Sequence, residues 1–233
     1  MTVIENELKA MLFACDYDGY MSMWSIDAIF ENISFAAVAM IRMFKAHDCE
    51  ILAVAGVWNS DEMIVATGGN DRTIKLWSEF DDNVEPKCLQ GHTDSVTALE
   101  FDGYLLFSGG EDMTIRIWDT YNCVQLAIIQ RIHTFGIRSI CRIAEENTFA
   151  SSDAGGKVII YDFVRKRVIW EMQHTTDCRC ICISKQQNRL YAVIRNELIP
   201  HELPVRLSAG LANLMSRSSF ISVLSSKSIS MLL

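Results

Sequence analysis

Ser108, His92 and Asp112 are the residue types of a nucleophilic triad: a hydroxyl, an imidazole to take its proton, and a carboxylate to orient the ring. The surrounding sequence argues against that use. No Gly-x-Ser-x-Gly elbow encloses a serine, and the same trio of types recurs along the chain, whereas a catalytic site occurs once. Cys178, Cys180 and Cys182 alternate close to His174, which raises the question of a metal site. Their spacing is Cys-x-Cys-x-Cys and not the Cys-x-x-Cys of zinc knuckles. On a strand, alternation places all three on one face, as small buried residues of an inner strand. Asp16-Tyr17-Asp18-Gly19 has the opening of a calcium loop, but the later ligand positions read as strand, so a turn is the better reading. There is no phosphate loop and no dinucleotide fingerprint. The sequence therefore assigns no catalytic residue, no metal and no cofactor.

Composition narrows the class further. Of 233 residues, 50% are hydrophobic and 21% charged, which fits a folded chain and excludes a disordered one. A formal net charge of -8 without a basic run argues against nucleic acid or an anionic membrane as partner. No uninterrupted apolar stretch is long enough for a transmembrane helix, and no secretory signal is evident. Eight cysteines in such a chain point to reduced thiols and a cytoplasmic location.

Residues of unlike type keep one period. His47, His92, His133 and His174 are spaced by 45, 41 and 41 residues. Trp77, Trp118 and Tyr161 follow at 41 and 43, and Trp24 stands 53 before Trp77. Between a histidine and the next one lie four short β-rich runs. After His92 these are 96–101, 104–108, 114–118 and 123–130, separated by Asp102-Gly103 and by Gly109-Gly110-Glu111-Asp112. Four short strands in each period of about 41 residues predict an antiparallel four-stranded blade.

These motifs resemble the WD-repeat family. The best match runs Gly91-His92, Ser108-Gly109-Gly110-Glu111-Asp112, Trp118-Asp119. The preceding repeat reads His47, Thr67-Gly68-Gly69-Asn70-Asp71, Trp77-Ser78, and an earlier partial one reads Asp16-Tyr17-Asp18-Gly19, Trp24-Ser25. The repeat from His133 keeps Ser151 and Tyr161-Asp162 but has Gly155 at the turn aspartate position, so a weaker blade lacking its carboxylate is expected there. The resemblance implies an all-β propeller segment of about four to five four-stranded blades in an incomplete ring. It also implies a buried hydrogen-bonded tetrad in each full blade: His47, Thr67, Asp71, Trp77 and His92, Ser108, Asp112, Trp118. A buried indole N–H left without an acceptor costs about 1–3 kcal/mol, and a neighbouring hydroxyl removes that cost.

On this reading residues 1–196 form the propeller segment. Full blades lie near 47–90, 91–131 and 133–173, remnants lie at 8–45 and 178–196, and 197–233 is a Ser-rich tail outside the repeat. Residues 26–39 form an apolar insertion. Propellers close with about 4–8 blades, so the ring is expected to be completed by flanking repeats or another chain. The function implied is a scaffold that offers loops to other proteins. Tyr17, Tyr20, Asn70, Arg72, Glu111 and Met113, in the turns before third strands, are the candidate contact residues. A peptide reader or ubiquitin-ligase substrate receptor is the alternative, and an enzyme is the reading of another class. The insertion before Phe44-Lys45-Ala46-His47 is similar to large WD-repeat proteins of cilia and flagella, which adds the cytoskeleton or cilium as a location.

Overall fold

Every stretch of alternating apolar residues that the period marks becomes a strand paired with its sequence neighbour. The computed structural model describes residues 1–5, 10–25, 40–59, 62–78, 85–143, 147–184 and 189–202. The expected insertion at 26–39 and the chain beyond 202 lie outside the described residues. Five antiparallel sheets follow one another. The first holds β1 (Thr2–Glu5), β2 (Ala10–Cys15), β3 (Tyr20–Ser25) and β4 (Met40–Lys45). The second holds β5 (Ile51–Asn59), β6 (Glu62–Gly69), β7 (Thr73–Trp77) and β8 (Lys87–Gln90). The third holds β9 (Val96–Asp102), β10 (Leu105–Gly110), β11 (Ile115–Asp119) and β12 (Val124–Ile129). The fourth holds β13 (Ile137–Ile143), β14 (Thr148–Asp153), β15 (Lys157–Asp162) and β16 (Arg167–Gln173). The fifth holds β17 (Cys178–Ser184), β18 (Arg189–Ile194) and β19 (Glu197–Glu202). The architecture is all-β, with no helix among the described residues, and the sheets are the blades of a propeller whose ring is not closed.

Two boundaries differ from expectation. The first sheet is no remnant beginning at 8, because Thr2–Glu5 pairs with β2 from Thr2↔Phe13 to Glu5↔Ala10. Its four residues are too few to show a period, yet Ile4 is buried and reaches the second sheet, where a Cβ on Gly56 would overlap it. At the other end, 197–202 continues the fifth sheet, so the boundary drawn at 196 falls inside it. Arg195 and Asn196, at φ 50° and 67°, make the two-residue turn that joins β18 to β19. Pro200 in β19 weakens the sequence signal for a strand, but an edge position tolerates a residue without an N–H.

The first strand of each sheet lies at the axis. Thr2, Ala53, Thr97, Arg138 and Cys180, one from each sheet, line a common channel. In sheets two to five this strand carries a bulge at the same point, leaving Leu52, Thr97, Arg138 and Arg179 without a ladder partner. The bulge corrects the expected single face for the three cysteines. Cys178 packs with Ile181 and Leu190 against the fourth sheet, whereas Cys180 turns to the channel. Burial pushes the Cys178 thiol up to about 12 and that of Cys182 up to about 11, so neither is a ready thiolate.

Adjacent sheets share apolar layers. One joins the third and fourth, where Phe107, Ile115, Ile137 and Phe149 are all fully buried and the Phe107 and Phe149 ring centres lie 5.5 Å apart. Polar ties cross the same seam: Thr97 Oγ1 donates to the Ile137 carbonyl at 2.5 Å, and Arg142 Nη2 meets Asp102 Oδ2 at 2.5 Å. Because Phe107 touches both sheets, Phe107→Ala is expected to cost about 3–5 kcal/mol. Urea unfolding of wild type and variant measures the loss.

Candidate functional site

Each sheet from the second to the fourth is entered through a histidine loop that folds back over the turn between its second and third strands. In the third sheet, Trp118 Nε1 donates to Ser108 Oγ at 2.8 Å, and Ser108 lies 2.7 Å from His92 Nε2. His92 Nδ1 lies 2.9 Å from Asp112 Oδ2. The carboxylate can only accept, so the Nδ1 position carries the ring proton and Nε2 accepts the serine hydroxyl. The second sheet repeats the relay. Trp77 Nε1 reaches Thr67 Oγ1 at 3.0 Å, Thr67 reaches His47 Nε2 at 2.8 Å, and His47 Nδ1 reaches Asp71 at 2.8 Å. The structure thus brings together all eight tetrad residues read from the sequence.

The fourth sheet corrects one expectation: it does possess a carboxylate. Asp153 Oδ2 binds His133 Nδ1 at 2.9 Å, and Ser151 Oγ lies 2.7 Å from His133 Nε2. Asp153 stands two residues after the hydroxyl instead of four, which a fixed motif misses. It compensates by a different turn, in which Asp153 Oδ1 accepts the N–H groups of Gly155 and Lys157, both at 2.9 Å. Asp16 does the same for Asp18 and Tyr20 at 3.0 and 2.8 Å. In these two turns Gly156 and Gly19 occupy φ +86°. In the other two turns, Asp71 and Asp112 accept the N–H and hydroxyl of Thr73 and Thr114. The left-handed position there is filled by Arg72 at φ 67° and Met113 at φ 61°.

The triad reading fails on access. Thr67, Ser108 and Ser151 are each 0% exposed, so no substrate carbon can approach their oxygens, and in the first two the oxygen is already held by an indole. His47, Cys49 and Asp71 hold three potential ligand atoms within 4.8 Å of one another. Those atoms are committed, because His47 uses both ring nitrogens and the Cys49 sulfur accepts the Asp71 N–H at 3.1 Å. Burial holds the His47 pKa below the ordinary 6.5 against the opposing pull of Asp71. Burial raises the Asp71 carboxyl, but hydrogen bonds from His47 and Thr73 outweigh it and hold the pKa below 3.8. Asp112 and Asp153 are likewise held low by their histidine and backbone donors, against burial.

The six candidate contact residues divide into two groups. Asn70 Oδ1 accepts the Ser95 hydroxyl at 2.5 Å, and Glu111 is paired with Arg138, so these two tie neighbouring sheets together. Tyr17, Tyr20, Arg72 and Met113 are exposed on the histidine-loop end of the disc, Tyr17 at 74%. Phe135, 55% exposed, stacks beside Gly155 on the same end and was not singled out from sequence. Its position two residues after the repeat histidine was the available signal. His201 was also missed. It pairs with Leu190, the register position that Trp118 holds opposite Leu106 and Tyr161 opposite Phe149. A search for tryptophan passes over it although the period of 40 residues from Tyr161 is kept.

Residues 39–78 and 84–119 match the family model "WD domain, G-beta repeat". A chain of the solved structure described as "Crystal Structure of Mitotic Checkpoint Complex" is similar with a TM-score of 0.69 at 16% identity, over 87% of this chain and 61% of that one. The present chain therefore spans under two thirds of that neighbour. Matching chains of solved structures number 1472, so the fold by itself selects no partner.

Two outcomes follow for the relay. Ser108→Ala leaves the Trp118 N–H and His92 Nε2 unpaired and is expected to cost about 2–4 kcal/mol, while labelling by a fluorophosphonate stays at background in both proteins. Acid acts twice in one direction. A depressed histidine pKa gives stability that is full above about 6.5, and depressed carboxyl values give stability that is full above 3.8. Urea midpoints are expected to be level from pH 8 to about 7, to fall below about 6.5, and to fall again below about 4.

Proposed function

We propose that this WD-repeat chain is a protein-interaction scaffold whose recognition surface is the histidine-loop end of the disc, centred on Arg72 and Met113. The observation that carries the reading is the contrast between equivalent turns. Gly19 and Gly156 take the left-handed position without strain, yet in the second and third sheets Arg72 and Met113 hold that conformation. Both side chains are exposed, and Met113 is 44% accessible. Glycine holds the corresponding left-handed position in the first and fourth sheets, whose turns place their aspartates differently. A long cation and a flexible thioether fixed on adjacent rigid turns suit an interface anchor.

Tyr17 and Phe135 extend this surface to the first and fourth sheets, so four successive turns and loops each carry one large exposed side chain. Aromatic, methionine and arginine side chains contribute contact area at interfaces out of proportion to their number. The net charge of -8 supports a partner with basic segments. No helix of the described residues is long and apolar enough to cross a membrane.

The test is affinity capture with the wild-type chain and with an Arg72→Ala/Met113→Ala variant. Both changes are on the surface, so unfolding free energies are expected to agree within about 0.5 kcal/mol. The variant is expected to lose partners that the wild type retains. An identical set of captured proteins, at equal stability, would sink the proposal.

A further inference from the structure

The fifth sheet keeps the loop histidine of the repeat but loses the rest of the relay. Ala192 stands opposite Ile199, where Ser108 stands opposite Arg116 and Ser151 opposite Ile159, so the bridging hydroxyl is gone. His201 takes the place of the indole. The consequence is a pair of imidazoles, His174 and His201, with ring centres 5.0 Å apart and planes inclined at 56°. The Nε2 atoms of both rings are buried and, among the described residues, have no hydrogen-bond partner. Buried polar nitrogens are rarely left so, and two around one missing hydroxyl require a common explanation.

We propose that His174 and His201 form a binding site for a divalent transition-metal ion of the zinc class. Three features fit. With Zn–N of about 2.0–2.1 Å, two imidazoles on one tetrahedral ion have ring centres roughly 5 Å apart, as here. The backbone of His174 is held in place: its amide N–H donates to the Gly156 carbonyl at 2.9 Å and its carbonyl accepts from Gln173 Nε2 at 2.9 Å. His201 is set in β19 by its register with Leu190 and is flanked by Trp170, with ring centres 5.9 Å apart. Burial also lowers the pKa of both rings, which keeps the nitrogen lone pairs free of protons at neutral pH. Two neutral nitrogens select a borderline ion such as zinc, cobalt or copper over calcium or magnesium, which prefer oxygen.

Ion binding would join the histidine loop to the third strand of the sheet, the connection that the hydroxyl relay makes in the second and third sheets. The test uses the full chain, stripped with EDTA and titrated with zinc by calorimetry and with cobalt by visible absorption. One equivalent is expected, with no thiolate charge-transfer band, and with a rise in thermal midpoint that EDTA reverses. His201→Trp removes a ligand, and Ala192→Ser returns the hydroxyl to His174 Nε2. Each is expected to weaken binding at least tenfold, and far-UV circular dichroism checks that the strands are retained. No binding by wild type overturns the proposal. So does an equivalent that survives both substitutions or shows a thiolate band, since that outcome places the ion at His47, Cys49 and Asp71.

Discussion

The relay from indole to hydroxyl to imidazole to carboxylate is what the second and third blades depend on, and the fourth keeps its part from hydroxyl to carboxylate. It fastens the loop that enters a sheet to the turn between its second and third strands, and it does so inside the protein where each unmade bond is costly. The links measure 2.7 to 3.0 Å in the second, third and fourth sheets. Each fixes one ring orientation, because a carboxylate that can only accept determines which nitrogen carries the proton. Once loop and turn are locked, the residues that project beyond them are held in place without having to stabilise anything. This is why the end of the disc can vary while the sheets beneath it stay alike.

Between blades the task falls to different chemistry. Apolar layers line the seams, with aromatic pairs such as Phe107 and Phe149, and polar ties cross beside them. Asn70 and Glu111 belong to those ties, although they occupy the same turns as Arg72 and Met113. Neighbouring positions in one turn therefore serve opposite ends, one sewing sheets together and the other facing solvent. The two roles keep fixed places: the residue before each turn aspartate reaches the next sheet, at Ser95 or Arg138, and the residue after it faces solvent.

Much of this was legible in the sequence. The period, the strands of the three central sheets and both complete tetrads could be read because the residues involved are chemically distinctive and evenly spaced. The parts that escaped have physical causes. Thr2–Glu5 is a strand only because β2 and the second sheet receive it, and four residues carry no period of their own. Glu197–Glu202 hides behind Pro200, which an edge strand accommodates. Asp153 was passed over because a shift of two residues along a turn moves a carboxylate very little in space. His201 was passed over because a register position outlasts the residue type that usually marks it.

The two kinds of turn have a consequence for how such chains are counted. One places its aspartate at the start and a glycine at the bend. The other places the aspartate just before the bend, where Arg72 or Met113 takes the left-handed position. Both bring an oxygen to the same point, so evolution can exchange one for the other without moving the strands. A pattern built on the letters of one kind will recognise only some blades of a ring, as here, where the two matched segments run only from β4 to β11. Blade numbers in divergent members are better taken from the rhythm of ladder pairings than from spelled-out signatures.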